Sequence, residues 1–162
     1  MKGVQVKTDK VSDTLGAISA LSGKAVQVGY PRDGGRRKMS DDLSNASLAY
    51  LHEFGSAAKN IEARPFLIPG VRKAHDKIGS ALESTIKNLF SPGALDKGLN
   101  IAGLAAQNSV KATITKGEGF KALSEETLKD RRSAGFKGTK PLIRTGQLRN
   151  AVTYVIKTAR GK

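Results

Sequence analysis

The sequence predicts an α+β fold: a small antiparallel sheet packed against a long helical hairpin, with extended loops between the elements. Apolar residues recur at helical spacing across residues 70–90 and again across 94–115, while stretches near 25–30 and 152–156 alternate apolar and polar side chains. Eighteen glycines punctuate the remainder. A chain of 162 residues is long enough for one domain with a true core and short for two, so residues 1–162 read as a single unit.

The elements follow in order. Val4 and Val6 alternate with Gln5 and Lys7, as in a short strand. Val11, Leu15 and Ile18 then recur at spacings of four and three. Asp13 lies early enough to favour a helix N-terminus, so a helix is expected to end near Gly23. Ala25–Tyr30 alternates again and stops at Pro31. Gly34-Gly35 and four basic residues mark Arg32–Lys38 as a mobile tip, within a flexible loop expected near 31–43. Asn45–Phe54 suits a short helix closed at Gly55 by a left-handed residue. Ser56–Pro69, with Pro65 and Pro69, has no sustained period and reads as an ordered crossing.

The firmest element is a helix over residues 70–90. Val71, Ala74, Ile78, Ala81, Leu82, Thr85, Ile86 and Leu89 share one face, and Pro92-Gly93 closes it. A second helix runs from Ala94 to near Thr115 on the stripe Leu95, Leu99, Ala102, Ala106 and Val110. The small residues Ala102, Gly103, Ala105 and Ala106 would let it lie close against the first, as an αα-hairpin. Glycines interrupt residues 117–140, a second flexible loop with one short helix around Ser124–Arg131. Loops of that length are usually functional or disordered, which makes this one an interaction candidate. Thr145 can cap a turn over Gly146–Asn150, with Leu142 and Leu148 seated on either side. Val152, Tyr154 and Ile156 form a last strand ahead of a basic tail. Short strands leave edges that a neighbouring subunit can complete, so oligomerisation is natural.

The formal charge is +14. Residues 1–58 hold 8 Lys/Arg against 6 Asp/Glu, and residues 59–162 hold 20 against 8. Within Lys129–Arg149 stand Lys129, Arg131, Arg132, Lys137, Lys140, Arg144 and Arg149 against Asp130 alone. A basic segment of this kind attracts phosphate or carboxylate surfaces, and Arg131, Arg132, Lys137, Lys140, Arg144 and Arg149 are candidate contacts to DNA or to an acidic partner. Cysteine is absent, which excludes a disulfide scaffold and thiol chemistry. The first residues lack the apolar run of a signal peptide, and no stretch reaches the roughly eighteen apolar residues that cross a bilayer. The expectation is a protein made in a reducing cytoplasm, without membrane attachment.

Catalytic, metal and cofactor sites are not expected. His52-Glu53 lacks the second histidine of a zinc protease motif, since position 56 is Ser56. His75-Asp76 holds the other histidine. Glu125-Glu126 are adjacent and diverge on a helix, so they do not converge as an acid and base pair. Asp33-Gly34-Gly35-Arg36-Arg37-Lys38 lacks the strand and the Lys-Ser/Thr ending of a phosphate loop.

Two cassettes stand out instead: His52-Glu53-Phe54-Gly55-Ser56 with Ala63-Arg64-Pro65-Phe66-Leu67, and the distant Pro141-Leu142-Ile143-Arg144-Thr145-Gly146-Gln147-Leu148-Arg149. Phe54 and Phe66 read as apolar anchors at the two ends of the crossing. Arg64, on backbone stiffened by Pro65, is placed to pair bidentately with a carboxylate such as Glu53, in the same chain or a neighbour.

With Ile61-Glu62, Pro69 and Asn150-Ala151-Val152, these motifs resemble the bacteriophage tail-completion proteins, also described as head-tail joining or neck proteins and related to virion-morphogenesis and minor tail component families. The order of the motifs and the helices between them extend a looser similarity over residues 45–158. In this resemblance Glu53, Phe54, Gly55, Arg64, Pro65 and Phe66 match a first family signature, and Leu142, Thr145, Gly146 and Leu148 a second. It implies an α+β, non-enzymatic virion component without cofactors. Such a protein forms rings, commonly hexameric at the tail end, and meets connector and tail-tube proteins at the head-tail junction after assembly in the host cytoplasm. A non-specific DNA-binding accessory protein is the alternative.

Overall fold

The computed structural model describes residues 10–31 and 44–158. The strand expected at Val4–Val6, the loop at Arg32–Lys38 and the basic tail after Thr158 lie outside them. The architecture is α+β. Helix α1 (Lys10–Ser22) leads into strand β1 (Lys24–Gly29), followed by α2 (Asn45–Phe54), α3 (Leu67–Lys73), α4 (His75–Lys87), α5 (Ala94–Lys116), α6 (Glu125–Ser133), α7 (Gln147–Asn150) and strand β2 (Thr153–Thr158).

The two strands pair antiparallel in a register that sets Lys24 against Thr158 and Gly29 against Thr153. Val26 faces Ile156 and Val28 faces Tyr154 across the ladder, so these four share one side of the sheet. That side lies on α5. The Tyr154 ring sits over Gly103, where a Cβ would come within 2.3 Å of it, and its hydroxyl meets Asn100 Oδ1 at 2.8 Å. Lys24 pairs with Asp96 near the start of α5 and ties down β1.

Helix α5 is the spine, 23 residues between two left-handed glycines, Gly93 and Gly117. Of its expected stripe, Leu99, Ala102, Ala106 and Val110 are buried and Leu95 is half-buried. The partners of its small residues differ from expectation. Gly103 admits the Tyr154 ring rather than the preceding helix, and the tight meeting with α4 is at Gly98, where a Cβ would fall 1.6 Å from Thr85 Oγ1.

The single helix expected over residues 70–90 is two. It breaks at Ala74, whose N–H turns back to Val71 O at 3.0 Å, a tightened turn of the three-residue kind. Each half is then free to follow its own contact with α5, α3 through Gly70 against Val110 and α4 through Thr85 against Gly98. Ile86, expected on the inner face, is exposed. An apolar period continuous across Ala74 carries no signal of the break.

The core gathers Ala49, Phe66, Val110, Ile114, Leu148 and Val152. It thus draws on both cassettes and on α5, which fixes how the two distant motifs meet.

Candidate functional site

The first cassette is organised by Glu53. Ser44 caps α2, its side-chain oxygen accepting from Ser47 N, and Gly55 ends the helix with its N–H on Leu51 O. Gly55 has the expected positive φ of +74° but an extended ψ of −178°, so the chain runs straight on instead of curling back. A Cβ there would lie 2.9 Å from Ala63 N and Ile61 O. The crossing is held by a bridge in which Ser56 N donates to Ile61 O at 2.7 Å and Ile61 N to Ser56 O at 2.9 Å, and by Arg64 N on His52 O at 2.6 Å.

Glu53 and Arg64 do not pair as expected. The Glu53 carboxylate is buried and accepts from the first backbone N–H groups of α3: Phe66 N and Leu67 N at 2.8 Å on Oε2, and Ile68 N at 2.9 Å on Oε1. Helix starts leave such donors without intrahelical partners, and a carboxylate satisfies several of them while complementing the local dipole. With Glu53 so occupied, Arg64 turns the other way and donates from Nε to Lys121 O at 3.2 Å and from Nη2 to Ala122 O at 3.4 Å. The two phenylalanines part company as well. Phe66 is fully buried, edge-on to Tyr30 with ring centroids 6.4 Å apart, whereas Phe54 is 59% exposed and lies tilted against Tyr50 with centroids 4.9 Å apart.

The segment 117–140 contains α6 where a short helix was expected, capped by Ser124 Oγ accepting from Thr127 N at 3.2 Å. It is tied to the body at several points. Lys121 pairs with Glu62 at 3.0 Å, and Lys140 Nζ donates to Thr115 O at 3.0 Å. Arg131, only 8% exposed, donates from Nη1 to the carbonyls of Gly138 and Lys140 at 3.0 Å and of Ile143 at 3.1 Å. Between the last two, Leu142 takes φ +61°, a left-handed geometry that costs a non-glycine residue about 1–3 kcal/mol and persists where its surroundings impose it. The Arg131 contacts supply that imposition.

The second cassette closes the arrangement. Gly146 holds φ +76° ahead of α7, and Thr145 Oγ1 accepts from Gln147 N over a long 3.4 Å. Leu148 packs in the core, and its carbonyl takes the Tyr30 hydroxyl at 3.0 Å. Burial, and then the nearby Glu53 carboxylate, push the Tyr30 phenol well above its ordinary pKa.

Between the cassettes lies an open groove of about 1110 Å³. Arg64, Leu142, Thr145, Gly146 and Leu148 from the signatures line it, together with the basic candidates Arg131 and Arg144 and residues Lys121–Ser124. Arg144 lies over the Phe136 ring, 4.7 Å from its centroid. Burial first, then the charges of Arg144 and Arg64, lower the Arg131 guanidinium from its ordinary pKa. The other basic candidates stand apart from the groove. Arg132 is 3.8 Å from Glu125, Arg149 donates to Asn150 Oδ1 at 3.3 Å, and Lys137 is exposed. Pro65 is exposed beside Arg64. The Lys121 and Ala122 carbonyls that hold Arg64 carry no side-chain signature and escape sequence reasoning, as does the seat of Arg144 on Phe136.

Among the described residues no group of three or more His, Asp or Glu side chains is placed to hold a metal, and no helix is long and apolar enough to cross a membrane. No family model matches the chain, and no solved structure matches it. A stretch of 47 residues is 41% identical to an uncharacterized protein of Methanocaldococcus jannaschii. That similarity covers 29% of this chain and 35% of the archaeal protein, so the match spans about a third of its relative.

Proposed function

We propose that this chain is a structural virion protein that completes or caps a phage tail and joins it to the head connector, acting as a ring of identical subunits. The motif resemblance supplies the class. The observation that carries the reading physically is an unfinished surface: among the described residues the sheet has two strands, each with one edge unpaired. An open edge is a template for a strand from a neighbour. The exposed Tyr50 and Phe54 pair adds apolar contact area. Cyclic symmetry repeats one modest contact around the ring, so a weak patch suffices to hold a collar.

In this reading the protein is no enzyme and needs no cofactor. Its partners are connector and tail-tube proteins, and its place is the head-tail junction, reached from the host cytoplasm during assembly. The charge of +14 supports a non-specific DNA-binding accessory protein as the alternative. Against that alternative, Lys140 and Arg149 are each engaged within the chain. Electron microscopy of purified particles tests the proposal: a label on this protein is expected at the head-tail junction, and a label elsewhere refutes it. Tight, salt-dependent binding of the isolated protein to random duplex DNA, with no affinity for a tail-tube protein, would establish the alternative.

A further inference from the structure

We infer that the groove between the two cassettes is a docking site for an extended acidic peptide segment of a partner protein, its carboxylates received by Arg64, Arg131 and Arg144. The inference stands on the groove's own chemistry and holds or fails separately from the virion role.

Charge complementarity carries it. None of the three arginines forms an ion pair with a carboxylate among the described residues. Glu62, the one acidic side chain among the described residues of the lining, is engaged by Lys121. A guanidinium offers five N–H donors in a planar fork. Arg131 commits Nη1 to its three carbonyls, and Arg64 commits Nε and one hydrogen-bonding edge of Nη2, so donors remain on both. Arg144 is steadied by the Phe136 ring, and among the described residues no side-chain hydrogen bond holds it. Holding three like charges around one groove, with Arg131 more than nine-tenths buried, is unfavourable in the unliganded protein. Carboxylates entering the groove relieve that repulsion and make charge-assisted bonds in partly desolvated surroundings.

Two further features select a peptide over a nucleic acid. Ile61, Leu123 and Leu142 line the groove together with the guanidiniums, and they suit apolar side chains interspersed with acidic ones, which a sugar-phosphate backbone lacks. Gln147, also in the lining, has its side-chain oxygen buried without a hydrogen-bond partner. A peptide backbone brings an N–H donor with almost every residue, whereas in a nucleic acid only the bases carry donors and the phosphates that the arginines would hold carry acceptors alone. The volume, about 1110 Å³, slightly exceeds the range of roughly 300–1,000 Å³ usual for small-ligand pockets and accommodates several residues of extended chain.

The test is fluorescence anisotropy on the full chain with a labelled twelve-residue peptide of alternating Asp and Leu, compared with its Asn and Leu counterpart and a twelve-nucleotide single-stranded DNA. The acidic peptide is expected to bind saturably and at least about tenfold tighter than the Asn version, the scale of one charge-assisted contact. Because Arg131 also orders its loop, the decisive variant is Arg144→Gln, which removes no hydrogen bond among the described residues and is expected to keep the wild-type melting temperature while weakening the peptide about tenfold. Lys77→Gln, which removes the same charge from α4, is expected to leave the affinity unchanged. Equal weakening by both substitutions, no discrimination between the Asp and Asn peptides, or binding of the DNA at least as tight as that of the acidic peptide would each overturn the inference.

Discussion

Replacing Glu53 with alanine removes the acceptor for three backbone N–H groups at once. Phe66, Leu67 and Ile68 all donate to this carboxylate at 2.8–2.9 Å, and Glu53 is 6% exposed, so water does not simply take its place. A hydrogen bond to a charged group contributes about 1.5–3 kcal/mol, and a buried donor left unsatisfied costs about 1–3 kcal/mol. These contributions share one side chain and are not additive, so the loss is on the order of 4 kcal/mol, a large part of the 5–15 kcal/mol typical of a domain. Glu53→Gln keeps one oxygen for Phe66 and Leu67 but sets an NH2 against Ile68 N, and about 2 kcal/mol is expected. Urea unfolding followed by circular dichroism reads both, with the midpoint shifted and the slope unchanged. Arg64→Ala serves as the comparison, because it removes only two carbonyl contacts and is expected to cost about 1–2 kcal/mol. The reasoning fails if Glu53→Ala costs less than about 1 kcal/mol, or if a double-mutant cycle shows Glu53 and Arg64 coupled as an ion pair would be.

Three other outcomes follow from the packing and the charge environment. Gly70→Ala would place a methyl 2.7 Å from Val110 Cα, a backbone atom that cannot rotate away, so a loss of about 1–3 kcal/mol in unfolding free energy is expected. Gly79→Ala, in exposed α4 with no atom within 4 Å, is expected to stabilise by about 0.4–1 kcal/mol in the same assay. Because the folded Tyr30 phenol is held protonated by burial and by Glu53, its contribution is present below the ordinary tyrosine pKa of about 10 and is lost as pH rises further, when the unfolded chain ionises first. The stability gap between wild type and Tyr30→Phe is therefore expected to narrow above that pH in denaturant titrations, and a constant gap would show that Tyr30 is not shielded as described.

Features that depend on neighbours along the chain are legible before folding is considered. The period of Leu99, Ala102, Ala106 and Val110 identifies the buried face of α5, and alternation locates β1 and β2. Gly55 marks a helix end because only a residue without Cβ accepts that turn cheaply. A short helix around Ser124–Arg131 is legible between the interrupting glycines, and its Ser124 cap shows only in the structure. Which distant groups meet is settled by the fold. The motif containing Glu53 and Arg64 suggests opposite charges seeking each other, yet the carboxylate gains more from three unpaired N–H donors at the start of α3, and Arg64 is left for the Lys121 and Ala122 carbonyls. Arg131 looks like one more surface cation among many until the chain folds back and places three carbonyls on one nitrogen. Gly103 meets Tyr154 rather than α4, and the helix over 70–90 breaks at Ala74, because each outcome is set by a surface that arrives from elsewhere in the chain. Periodicity encodes which face is buried. The choice of partner for each polar group is a competition among donors and acceptors brought together only by folding.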